Sequence, residues 1–84
     1  MDTIGNKVRQ IISEVTGLDH DISGEVNLYL DLGVASVHAL QILAELEDHF
    51  GISIPDEEFV QATSIDQLTS VIRSLLPAEE STSA

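Results

Sequence analysis

Apolar residues recur at helical spacing in three stretches of this 84-residue chain. In the first, Ile4, Val8, Ile11, Ile12 and Val15 share one face of a predicted helix. Asp2 or Thr3 is placed to cap its start, and Gly17 to stop it. A second helix is predicted over Ser36–Phe50. Val37, Leu40, Leu43, Ala44 and Phe50 form its expected apolar side, widened by Ile42 and Leu46. Gly51 ends it, and residues 52–55 read as an extended linker because a residue before proline avoids helical geometry. Asp56 is the expected cap of a short third helix through Glu57, Glu58, Phe59 and Val60. Ser64, with Gln67 three residues on, has the form of a capping box that opens a fourth helix. Ile65, Leu68, Val71, Ile72 and Leu75 are its expected core positions.

Between the first two helices lies a long connection, residues 18–35. A loop of that length inside a small domain is often functional. Ile22, Val26, Leu28, Leu30 and Leu32 alternate along it as in a short strand, but no second strand offers to pair with it. The segment therefore reads as a loop pinned to the core. The pattern predicts an all-α chain, with one domain over residues 1–76 and a disordered polar tail over 77–84.

Composition narrows the chemistry. There is no cysteine, so disulfides and thiolate metal sites are excluded and any thiol must come from a cofactor. Fifteen acidic residues against three basic ones give a net charge of −12. That balance argues against nucleic acid and anionic membrane surfaces, and favours partners with basic patches. No apolar run approaches the roughly 20 residues of a membrane span. No basic segment leads into an apolar stretch at the N-terminus, so the cytoplasm is the expected location. No Lys or Arg lies between Ser36 and Ile72, so the second and third helices present acid alone.

Ser36 is the outstanding candidate site, because it follows the Asp31-Leu32-Gly33-Val34-Ala35 turn at a helix start, where phosphate is favoured. The commonest role of such a serine is a plain helix cap. A catalytic role has little support: Ser36 and His38 are two apart and do not share a helix face, and a triad would need an approach by His20 from the loop. His49, near a helix C-terminus, reads as a surface residue. Residues 19–27 match the first nine positions of an EF-hand loop, but Leu30 stands where the bidentate glutamate belongs, which leaves at most a weak calcium site.

Asp31-Leu32-Gly33-Val34-Ala35-Ser36, followed by Leu46-Glu47-Asp48-His49-Phe50-Gly51-Ile52-Ser53-Ile54-Pro55-Asp56-Glu57-Glu58-Phe59, resembles the acyl carrier proteins over nearly the whole chain. The resemblance implies a four-helix bundle of acyl-carrier type with no catalytic activity. It implies 4′-phosphopantetheine, derived from coenzyme A, joined to Ser36 by a phosphodiester. Its thiol would hold an acyl or aminoacyl group as a thioester. The implied partners are a phosphopantetheinyl transferase and acyl- or aminoacyl-loading and -transferring enzymes, met by a monomeric carrier. Asp31, Val37, Gln41, Glu45, Glu47, Asp48, Asp56 and Glu57 are the implied docking residues. Ile42, Leu46, Ile54, Phe59, Ala62, Leu68 and Ile72 are the implied acyl pocket, shortened by the size of Phe59. Ala35 stands where these proteins carry an aspartate that engages the transferase and its metal. Gln41 replaces a usual glutamate, and His38 and His49 are unusual. Peptide-synthetase carriers also lack that aspartate, although their usual histidine before the serine is absent too. These departures point to a specialised carrier in a fatty-acid, polyketide or related pathway, or to an unmodified acidic interaction module that keeps the carrier fold.

Overall fold

The computed structural model describes residues 3–76. Asp2 and the expected tail, 77–84, lie outside the described residues. Four helices follow in order: α1 (Thr3–Thr16), α2 (Ser36–Phe50), α3 (Asp56–Gln61) and α4 (Ile65–Leu75). α1 packs against both α2 and α4, and α3 leans on α4. Among the described residues there is no strand, so the alternation in the long connection does not produce one.

The core is aliphatic. Val8 and Ile12 from α1, Ile42 and Leu46 from α2, and Ile65, Leu68 and Ile72 from α4 are all fully buried, together with Leu28 from the loop. Burial of each such side chain is worth about 1.5–3 kcal/mol. The α1 and α4 faces follow the periodicity. The α2 face does not. Its buried residues are Ile42 and Leu46, supported by partly buried Ala39, Leu43 and Phe50. Val37 and Leu40, expected inside, are 65% and 66% exposed, and Ala44 is exposed too. Apolar residues surround this helix on more than one side, so spacing alone does not choose the core face.

Helix ends show where local chemistry acts. α1 stops at Gly17 (φ +81°), whose N–H reaches Ser13 O at 2.8 Å. α2 stops at Gly51 (φ +66°), and the N–H groups of Gly51 and Ile52 both donate to Glu47 O, at 2.9 and 3.2 Å. Such left-handed closures favour glycine. Ser64 is the N-cap of α4 and accepts from Gln67 N at 3.2 Å. The return half of the expected capping box is shifted by one residue. Gln67 Oε1 accepts from the N–H of Thr63 at 2.8 Å and from its hydroxyl at 3.1 Å. α3 is not capped by Asp56. Pro55 holds the cap position, with no side-chain cap bond, and Asp56 is the first helical residue.

The long connection is tied down at several points. Leu28 is sealed in the core, its N–H donates to Thr63 O (2.8 Å), and its carbonyl accepts from Val34 N (3.0 Å). Gly24 O accepts from Asp66 N at the start of α4 (3.0 Å). Arg9 reaches from α1 and donates to the carbonyls of His20 and Ile22. Asn27 Oδ1 caps a tight turn by accepting from Tyr29 N (2.9 Å) and Leu30 N (2.8 Å). Asp31 Oδ2 closes the same turn from the other side by accepting from Asn27 N (3.0 Å). The result is the pinned loop that its apolar residues imply, with Leu30 turned out to solvent at 86% exposure.

Candidate functional site

Ser36 is exposed and is the first residue of α2. The N-cap is Ala35, whose backbone is extended (φ −78°, ψ 155°) and whose side chain makes no cap bond. The ordinary reading of Ser36 as a cap is therefore not what the fold builds. Among the described residues nothing hydrogen-bonds its hydroxyl, and His38, two residues on, is no exception. The first intrahelical bond runs from Ala39 N to Ala35 O (3.0 Å). The N–H groups of Ser36, Val37 and His38 thus lack an intrahelical acceptor, as at any helix start. Free N–H groups and the positive end of a helix dipole favour a phosphoryl group nearby. Gly33 (φ +70°) turns the chain just before this point, and nothing lies within 4 Å of where a Cβ would sit.

Ser36 opens onto a cleft of about 510 Å³ between α2 and α3. Ala39, Leu40 and Leu43 wall one side, and Phe59 and Val60 the other. Tyr29 from the capped loop turn and Asp56 from the start of α3 add the polar groups. Neither the Tyr29 hydroxyl nor the Asp56 carboxylate has a hydrogen-bond partner among the described residues. Burial pushes the Tyr29 phenol above its ordinary 10.0, so it remains a donor at neutral pH. Tyr29 carries no motif of its own and was not expected here; its only sequence signal is the Asn27 turn that aims it.

The implied docking residues divide. Val37, Gln41, Glu45 and Asp48 are exposed along one stripe of α2, and Asp56 and Glu57 are exposed on the first turn of α3. Asp31 and Glu47 are engaged within the fold. Asp31 closes the Asn27 turn, and Glu47 Oε2 accepts from Ile54 N at 2.8 Å, which ties the linker to α2. The seven implied pocket residues, Ile42, Leu46, Ile54, Phe59, Ala62, Leu68 and Ile72, are all buried. Of these, Phe59 alone lines the cleft at Ser36. The EF-hand match does not gather its ligands. Ser23 Oγ accepts from Glu25 N (3.3 Å), and Arg9 occupies the carbonyls of His20 and Ile22. Among the described residues no three His, Asp or Glu side chains are grouped to hold a metal ion. No described helix is long and apolar enough to cross a membrane.

Residues 6–72 match the family model described as the phosphopantetheine attachment site. The chain belongs to the acyl carrier protein family, and its cofactor is 4′-phosphopantetheine. Among solved structures the fold is similar to one from Mycobacterium tuberculosis described as "a putative acyl carrier protein" (Rv0033). The TM-score is 0.79 at 22% identity, over 86% of this chain and 97% of that one.

Proposed function

We propose that Ser36 bears the phosphopantetheine arm, and that the chain presents an acyl or aminoacyl thioester on it to enzymes docking on the outer face of α2 and α3. The observation that carries this reading is the state of Ser36: exposed, unbonded, beside free helix N–H groups and at the mouth of a cleft. In the attachment step Ser36 Oγ attacks phosphorus of coenzyme A and a P–O bond forms. The phosphoanhydride bond breaks, the nucleotide leaves, and the hydroxyl proton passes to the transferase. The arm supplies the thiol that the cysteine-free chain lacks. Val37, Leu40 and Val60 offer apolar contact to a partner, and Gln41, Glu45, Asp48 and Glu57 a polar rim with no Lys or Arg among them. Charge of one sign steers basic partners and raises their association rate. Ala35, Gln41, His38 and His49 support a dedicated pathway, of fatty-acid, polyketide or related type, rather than a general one.

The test is intact-protein mass after incubation with coenzyme A and a phosphopantetheinyl transferase. The chain should gain one phosphopantetheinyl group, and Ser36→Ala should gain none. Ala35→Asp should load faster with a transferase of broad specificity. No gain with several transferases, including that of the source organism, would overturn the reading in favour of an unmodified interaction module.

A further inference from the structure

Tyr29 is the single tyrosine of the chain, and the segment that leads into Ser36 sets its place. Its N–H donates to Asn27 Oδ1 (2.9 Å), and its carbonyl accepts from Gly33 N (3.2 Å). The carbonyl of Leu28, one residue back, accepts from Val34 N (3.0 Å). Residues 27–34 are therefore one bonded unit that holds Tyr29 in register with the start of α2. The ring is half-buried against the aliphatic core, and it lines the same cleft as Ser36. Phenylalanine would supply that packing equally well. The hydroxyl adds nothing to the fold, since no described residue accepts from it. The phenol is protonated at neutral pH, and burial pushes it further that way. It is a donor with no protein acceptor in the unmodified chain.

The arm brings the missing acceptor. A phosphodiester carries one negative charge on its two unesterified oxygens, and no Lys or Arg lines the cleft to offset it. In a chain of net charge −12, that anion is left to neutral donors and to water. A hydrogen bond to an ionised acceptor is roughly twice as strong as one between neutral groups. We propose that the Tyr29 hydroxyl donates to the phosphodiester on Ser36 and fixes the root of the arm, as a positioning residue. The proposal rests on attachment at Ser36. The contact involves the first link of the arm, so it is the same whatever the thiol carries. The loop then sets the direction in which the arm leaves α2, and a partner meets a thioester swung from a fixed pivot. An ordered root also lowers the entropy lost when the arm enters a partner's active site. Asp56 lines the cleft too, but it is an exposed carboxylate like Glu57 and Glu58, and it serves only as a control.

The test is the phosphorus NMR signal of the full chain, loaded with the unacylated arm and confirmed by mass. The single phosphorus should resonate away from its position in the same chain unfolded in urea. Tyr29→Phe should return it most of the way. The population of anchored arms should fall roughly 3- to 10-fold, the range for one lost hydrogen bond at a site open to solvent. Asp56→Asn should leave the signal where it is. The methyl signals of Leu28 and Ile72 report that both variants are folded. The Tyr29 ring signals of the parent should also shift on loading, a readout that needs no variant. The proposal is overturned if those ring signals stay constant, if Tyr29→Phe and the parent give the same phosphorus signal, or if Asp56→Asn moves it as far. If no arm attaches, the carrier reading fails by itself. The same comparison on a chain given a phosphoryl group on Ser36 during translation then decides for Tyr29 alone. A phosphorus signal moved by Tyr29→Phe supports the contact, and an unmoved one overturns it.

Discussion

Leu28 and Leu30 are two residues apart in one loop and offer a sharp contrast. Leu28 is fully buried, whereas Leu30 is 86% exposed. Leu28→Ala removes the transfer energy of most of a leucine side chain and leaves a void in the buried aliphatic core. Such changes cost about 2–5 kcal/mol. A chain of 84 residues has a total stability of about 4–13 kcal/mol, at ~0.05–0.15 kcal/mol per residue. The substitution should thus remove about a sixth of it or more, and lower the melting temperature by at least about 8 °C. Leu30→Ala should stay within about 0.5 kcal/mol of the parent. Urea unfolding followed by circular dichroism measures both, and the slopes should remain equal within error. A cost below about 1 kcal/mol for Leu28→Ala, or equal costs for the two, would refute the claim that this side chain anchors the loop.

Ser64→Ala should cost about 0.5–2 kcal/mol as a lost cap, while Ser36→Ala in the unmodified chain should cost less than about 0.5 kcal/mol; urea midpoints separate the two serines. Gly33→Ala places a side chain at φ +70° and should destabilise by about 1–2 kcal/mol, with Gly33→Asn milder, as read by thermal melting. Glu47→Ala should cost about 0.5–1.5 kcal/mol and speed hydrogen exchange at the Ile54 amide, and Glu47→Gln should restore protection because its carbonyl still accepts. Burial raises the Tyr29 pKa, so the unfolded chain loses that proton first as pH climbs past 10.0. The stability this residue contributes is present below that pH and is lost as pH rises through the folded value; Tyr29→Phe should flatten that part of the pH–stability curve.

Periodicity and punctuation were enough to read α1, α4 and the ends at Gly17 and Gly51, because each signal is local and unambiguous. They failed for the inward face of α2. Val37, Leu40 and Ala44 satisfy the spacing as well as Ile42 and Leu46, and only packing against α1 decides between them. The cap position was misread at Asp56, and the helix start at Ser36 left open a cap that the fold places one residue earlier. A cap is set by where the backbone leaves the extended region, and that happens at Ala35 and Pro55 in turn. Ser36 stood out as the candidate site because several adjoining features agreed on it. Tyr29 did not, since its place beside Ser36 depends on a loop folded by contacts to Arg9, Thr63 and Asp66 that no short motif encodes. For the same reason Asp31 and Glu47 read as surface charges, although the fold uses both as internal acceptors.

The helix starts of α2 and α4 are finished differently. α4 brings its own acceptor in Ser64. α2 has Ala35 at the same position and so begins with its donors unanswered. With a phosphodiester on Ser36, that omission becomes a form of assembly in which the last piece of a helix is added after synthesis. The modified chain should then be the better-folded one, by about 0.3–1 kcal/mol at low salt, with slower hydrogen exchange confined to the first turn of α2. Equal exchange in the two forms would show that the phosphate stands clear of the helix.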